Sequence, residues 1–149
     1  MKILMVCLGN ICRSPLAEGI LKSKTKKIEV DSAGTAGYHI GKNPDLRSIE
    51  IAKKYNIDIS NQRARQFNSN DFSKFDKIYA MDNDNYSKII SLAKNQQEIN
   101  KVELILNEIF PNQFKSVPDP YYGGASGFEN IYDLLNKACE KIASKHEPR

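Results

Sequence analysis

Cysteine, histidine and long apolar runs are all scarce in this chain of 149 residues, and each scarcity excludes something. The three cysteines, Cys7, Cys12 and Cys139, cannot all pair, and their spacing is not that of a metal-ligand set. The two histidines, His39 and His146, offer no obvious imidazole base. No apolar run reaches the roughly 18 residues of a membrane helix, and no secretory signal pattern precedes the strand-like start. Charge of one sign is also missing. Lys and Arg number 22 against 18 for Asp and Glu, a net +4 that suits an anionic substrate and falls short of a nucleic-acid binder. Gly-x4-Gly-Lys-Ser/Thr is absent, which excludes the usual nucleoside-triphosphate loop. The expectation is a monomeric protein of the reducing cytoplasm. It needs no metal or cofactor and has neither nucleic acid nor membrane as partner.

Hydrophobic residues make up 40% and charged residues 27% of the chain, the balance of an ordinary globular domain. Residues 1–149 are of a size for one domain with a proper core. Strand-like segments at Lys2–Val6, Lys27–Ser32, Lys77–Met81 and Val102–Leu106 alternate with helical patterns. The helices are expected over Pro15–Lys26, Asp45–Tyr55 and Asp84–Lys94, with a short segment at Asp71–Lys74 capped by Asn70. Leu46, Ile49 and Ala52 are spaced for one helix face, and Asn56 fits a left-handed C-cap. The lysines from Lys22 to Lys27 read as a solvated helix end. A last helix carries Phe128, Ile131, Leu135, Ala138 and Ile142 on one stripe, with Cys139 beside it as a core residue. Alternation of this kind predicts an α/β fold: one domain, a four-stranded parallel sheet of order 2-1-3-4, helices on both faces, flavodoxin-like.

The first strand runs into Cys7-Leu8-Gly9-Asn10-Ile11-Cys12-Arg13-Ser14-Pro15. A strand-to-helix turn can aim successive backbone N–H groups at one point and form a nest for an anion. The helix that follows adds its N-terminal partial charge. Gly9 and Asn10 tolerate the positive φ that a wrapping loop requires. Arg13 can fork onto two phosphate oxygens. The positive potential favours thiolate at Cys7, a nucleophile under a bound phosphoryl group. The competing reading of Cys7 is a buried thiol following Ile3–Val6. Ser14 is expected to be the N-cap with Pro15 at the first helical position, and its hydroxyl can also donate to the thiolate. Cys12, five positions after Cys7, is either a small packing residue or a partner that captures an oxidised Cys7 as a disulfide.

Expulsion of an alkoxide or phenoxide is easier with a proton donor. Asp119 lies in Val117-Pro118-Asp119-Pro120-Tyr121-Tyr122-Gly123-Gly124, where two prolines restrict the loop. A carboxylic acid over a low-dielectric pocket can act as general acid, and its carboxylate can then take a proton from water. Alone, Asp119 reads as the start of a turn; beside a thiol loop it reads as the acid. Tyr38, Tyr121 and Tyr122 either wall a slot for a phenyl ring or simply pack, and His39 is a rim residue.

These residues resemble the low-molecular-weight protein tyrosine phosphatase family over nearly the whole chain. Val6–Pro15 looks like its phosphate-binding signature and Asp119–Gly123 like its general-acid loop. Asp31–Thr35, Tyr38–Gly41, Pro44–Asp45, Ala64–Gln66 and Met81–Asp82 resemble further family segments. The resemblance implies hydrolysis of phosphotyrosine in proteins through a phosphocysteine. Cys7 would be nucleophile, Arg13 the transition-state clamp and Asp119 acid, then base. Leu8, Gly9, Asn10, Ile11, Cys12 and Ser14 would bind substrate together with Tyr38, His39, Tyr121 and Tyr122. Asn10, Ser14 and Ser32 would hold the loop by mutual hydrogen bonds, supported from residue 62. Many relatives have histidine there; this chain has Gln62, an amide that cannot become cationic.

Other readings share the fold. Arsenate reductases need relay cysteines, and none lies between residues 60 and 100. Phosphoarginine phosphatases typically place threonine where Ile11 stands, and an aliphatic Ile11 favours an aromatic ring. A non-catalytic phosphotyrosine-binding module would need neither Cys7 nor Asp119.

Overall fold

The computed structural model describes residues 1–120 and 126–146. Four strands, β1 (Lys2–Cys7), β2 (Glu29–Gly34), β3 (Lys77–Ala80) and β4 (Val102–Leu104), form one parallel sheet of order β2-β1-β3-β4. The helices are α1 (Arg13–Lys24), α2 (Leu46–Lys54), α3 (Asp71–Lys74), α4 (Asn83–Ser91), α5 (Gln96–Ile99) and α6 (Gly127–His146). The expected α/β class and strand order are those observed.

Period-two alternation along β1 splits the core. Ile3, Met5 and Cys7 face a cluster built with α1, α2 and α6, while Leu4 and Val6 face one built with Phe72 of α3 and Ile89 of α4. A strand buried on both faces explains the unbroken apolar run Ile3–Val6. The stripe Phe128, Ile131, Leu135, Ala138 and Ile142 is buried as expected, and so is Cys139. Asn56 has φ 66°, the left-handed C-cap anticipated after α2. Among the described residues, no helix is long and apolar enough to cross a membrane.

Several local expectations are corrected. Ser14 is not the N-cap: α1 starts at Arg13 with Cys12 in the capping position, and Pro15 is the third helical residue. The Ser14 hydroxyl is committed elsewhere, as described below, and Pro is harmless anywhere in a first turn that lacks N–H acceptors. Asn70 makes no side-chain cap; the Asp71 carboxylate accepts from the Asn68 N–H instead. Leu46, expected on the buried face, opens α2 beyond the core edge and is 67% exposed. The fourth strand stops at Leu104, and Ile105–Glu108 turns as a 3-10 helix. That turn brings the Glu108 carboxylate to the Tyr79 hydroxyl at 2.5 Å, and burial and this carboxylate both push the phenol upward. Lys22 is not merely solvated, because it pairs with Glu18 on the same helix.

Order 2-1-3-4 reverses direction between β1 and β3. A crevice therefore opens beyond their carboxyl ends, the position that parallel sheets offer to ligands. Cys7 ends β1, and Met81-Asp82 follows β3. Gly34 ends β2 and packs under the β1 loop. A Cβ there would lie 2.7 Å from the Leu8 carbonyl oxygen and 3.0 Å from the Asn10 nitrogen.

Candidate active site

A cleft of about 90 Å³ at the carboxyl ends of the strands is lined by Cys7, Leu8, Gly9, Ile11, Cys12, Arg13, Tyr38, His39, Asp119 and Pro120. A concavity of about 580 Å³ lies along Ile49, Lys53, Asn56 and Ile57 and contains no thiol or arginine. Chemistry rather than size identifies the smaller cleft as the candidate site.

Cys7 is buried, with its Sγ 3.0 Å from the Ser14 Oγ and accepting the Asn10 backbone N–H at 3.3 Å. Asn10 has φ 58° and is itself buried. Its side-chain amide donates to Ser14 Oγ at 2.8 Å and Ser32 Oγ at 2.9 Å, and its Oδ1 accepts the Arg65 N–H at 3.0 Å. Gly9 does not share the positive φ expected of it. Its bare Cα instead admits the His39 ring, whose Cδ2 would be 2.9 Å from any Cβ.

Arg13 is buried, and its Nη1 donates to Asp82 Oδ2 at 2.8 Å and to the Val117 carbonyl at 3.0 Å. Asp82 also caps α4 by accepting the Asn85 N–H at 2.7 Å. Val117 is in turn tied to the Met81 carbonyl. The segment leading to Asp119 is thereby fastened to the end of β3 and to Arg13 at once.

The structure brings Ser32 into the Asn10–Ser14 network but leaves Gln62 outside it. Gln62 Nε2 donates to the Pro15 carbonyl, in the first turn of α1, at 3.0 Å. Ser32 donates onward to Glu18 Oε1 at 2.6 Å, and Glu18 Oε2 takes Lys22 Nζ at 2.5 Å. Glu18 is 4% exposed. The sequence reading gave it no part; its only signal is the i, i+4 spacing to Lys22. Asp82 and Arg65 appear there only as landmarks. Arg65 reaches Asp31 and holds Asp71 through two nitrogens, anchoring the backbone that supports Asn10.

Tyr38 is 75% exposed and meets His39 edge-on, 6.5 Å between ring centres. Tyr121 and Tyr122 lie outside the described residues. Cys7, Cys12 and Cys139 stand as thiols. Burial pushes the Cys139 thiol up to about 12, which keeps it unreactive. Among the described residues, no group of three or more His, Cys, Asp and Glu side chains is placed to hold a metal ion.

Asn10 combines a left-handed backbone with three side-chain hydrogen bonds, so two substitutions separate the contributions. Asn10→Gly should cost about 2–3 kcal/mol from the lost bonds. Asn10→Ala should cost about 1 kcal/mol more, because Ala resists positive φ. Urea unfolding of the two variants checks this; equal losses would contradict it.

Residues 2–147 match the family described as low molecular weight phosphotyrosine protein phosphatase. A Synechocystis protein whose name places it among the low molecular weight protein-tyrosine-phosphatases is 48% identical over 148 residues, 95% of this chain and 94% of its own. The crystal structure of a protein tyrosine phosphatase from Entamoeba histolytica, with Hepes in its active site, superposes with a TM-score of 0.90 at 40% identity. It covers 98% of this chain and 96% of that one. A Drosophila arginine phosphatase superposes with a TM-score of 0.87 at 31% identity, covering 99% and 98%. With thiol, arginine and carboxylate around one cleft and the match running nearly end to end, this chain belongs to the low molecular weight phosphotyrosine protein phosphatase family.

Proposed function

We propose that residues 1–149 act as one phosphatase domain that hydrolyses phosphotyrosine in proteins through a phosphocysteine. The observation that carries this is the Cys7 sulfur, which accepts the Asn10 N–H and hydrogen-bonds the Ser14 hydroxyl on a cleft whose lining includes Arg13 and Asp119. Cys7 Sγ attacks phosphorus while the bond to the phenolic oxygen breaks. Asp119 gives its proton to that oxygen, and Arg13 balances charge on the equatorial oxygens. Water then attacks the phosphocysteine, the Asp119 carboxylate accepts its proton, and the P–S bond breaks to return the thiolate and release phosphate. The loop residues Leu8 to Cys12 and Ser14 cradle the phosphate. Tyr38, His39, Tyr121 and Tyr122 form the rim. Ser32 supports the loop through Asn10, while Gln62 braces the first turn of α1 at the Pro15 carbonyl.

Arginine phosphatase is the second reading, since a structural neighbour carries that name. Ile11 in the cleft lining favours the aromatic ring. The enzyme is expected to be a monomer of the cytoplasm that needs no metal, binds neither nucleic acid nor membrane, and acts on protein substrates.

A metal-free assay of phosphotyrosine, phosphoserine, phosphoarginine and arsenate tests the substrate class; turnover of phosphotyrosine alone is expected, and preference for phosphoarginine overturns it. In the same assay Asp119→Asn should lose about 10²–10⁴-fold with phenyl phosphate and much less with a nitrophenyl ester. Equal losses would leave Asp119 a loop-shaping residue only.

The site is also proposed to be redox-sensitive. Peroxide oxidises the Cys7 thiolate to a sulfenic acid, and the Cys12 thiol displaces water from it to give a disulfide. Cys12 sits on the same cleft and is 6% exposed. Dithiothreitol should restore wild-type activity after mild peroxide, while Cys12→Ser should start with near-normal turnover and recover poorly. Equal recovery, with no linked Cys7–Cys12 peptide by mass spectrometry, discards the switch.

A further inference from the structure

Beside the catalytic cleft lies a second groove of about 410 Å³ that shares Leu8, Arg13 and Asp119 with it. Its remaining wall is the start of α4 and the segment before Asp119, including Asp82, Asn83, Asp84 and Ser116. Asp82, Asp84 and Asp119 line this groove; Asp82 is engaged by Arg13 and Asp119 is the proposed proton donor, so Asp84 is the carboxylate of the lining that neither role uses. Among the described residues, its lining contains no lysine. The neighbouring Lys115 holds its ammonium over the Phe110 ring at 4.3 Å. Tyr38 and His39 line the catalytic cleft but not this groove, and Lys42 Nζ is 3.5 Å from His39 Nδ1.

The groove is also built to keep its shape. Asn83 donates its backbone N–H and its side-chain amide to Ser116 Oγ at 3.1 and 3.0 Å. The same amide reaches the Phe114 carbonyl at 3.0 Å, pinning residues 114–116 to α4.

A phosphotyrosine in a polypeptide brings chain on both sides of the ring. With the ring in the catalytic cleft, neighbouring residues must continue across the mouth, and this groove opens directly from it. We propose that the groove is a specificity subsite for a lysine or arginine side chain next to the phosphotyrosine, with Asp84 as its principal charge partner. The proposal rests on the phosphotyrosine phosphatase reading above. It selects the substrate class: phosphotyrosyl segments with an adjacent basic residue, although the enzyme as a whole carries +4.

The test compares kcat/KM for phosphotyrosyl peptides that carry Lys, Ala or Glu on either side of the phosphotyrosine. Free phosphotyrosine serves as reference. The Lys peptide is expected to exceed the Glu peptide by roughly fivefold to twentyfold at low salt, in one flanking position more than the other, and the ratio should shrink as salt rises. Asp84→Lys should bring the ratio to one or below. Because the ratio is taken within one variant, it is independent of any general loss of turnover. Asp84→Asn, a smaller change, should lower it part of the way and covers the case in which the lysine variant does not fold. Turnover of free phosphotyrosine with a flat peptide series, or a preference untouched by both variants, overturns the subsite. Failure to hydrolyse free phosphotyrosine at all overturns the phosphatase reading itself.

Discussion

One buried asparagine amide organises this site. Asn10 takes a backbone conformation that most residues avoid, and its side chain spends its capacity on holding it. Ser14 belongs to α1, Ser32 to β2 and Arg65 to the loop before α3, so three separate parts of the chain converge on one residue. Only with Asn10 fixed can its N–H and the Ser14 hydroxyl both reach the Cys7 sulfur. The network continues outward through Ser32 to Glu18, a buried carboxylate neutralised by Lys22. A buried charge without such partners would be costly. The loop geometry is thus tied to the packing of α1 against the sheet, and catalytic preorganisation comes from the fold rather than from the substrate.

A second anchorage places the charges. The Arg13 guanidinium would be free to turn toward solvent if nothing held it. The bonds to Asp82 and to the Val117 carbonyl fix its plane while leaving other N–H groups available to an anion. The same Val117 carbonyl belongs to the segment that carries Asp119. One guanidinium therefore sets the spacing between itself, the proposed phosphate clamp, and the proposed proton donor. The arrangement depends on strand order, because Arg13 follows β1 and Asp82 follows β3, which are neighbours only in this topology.

What could be read from the chain alone follows from the range of the interactions. The strands and the buried stripe of α6 rest on periodicity, a strong local signal, and the strand order follows from joining alternating strands and helices by right-handed crossovers. Cys7, Arg13 and Asn10 sit in one short loop, so their meeting is local too. Asp119 was readable because prolines flank it and because the family resemblance supplied its place. Glu18, Asp82 and Arg65 were not readable as site residues. Their partners are distant in sequence or, for Glu18, masked by an ordinary helical pattern. Ser14 was legible in part: the contact of its hydroxyl with the Cys7 sulfur is the one expected, while the capping role expected beside it is absent because that hydroxyl is taken up by Cys7 and Asn10. Gln62, expected from the family resemblance to support the loop, contacts the Pro15 carbonyl rather than the serine–asparagine network, a contact that only the fold discloses.

Turnover through a phosphocysteine requires that the Cys7 sulfur carry the phosphoryl group between the two steps. Rapid acid quenching of the enzyme during hydrolysis of a phosphotyrosyl peptide, followed by mass spectrometry of the digest, tests it directly. One phosphoryl group on the peptide that contains Cys7 is the expected result; with a nitrophenyl ester, whose leaving group needs little help from an acid, it should be more abundant in Asp119→Ala, where the second step is slowed. Steady turnover with no phosphoryl group on that peptide, or with the group on another residue, would contradict the account.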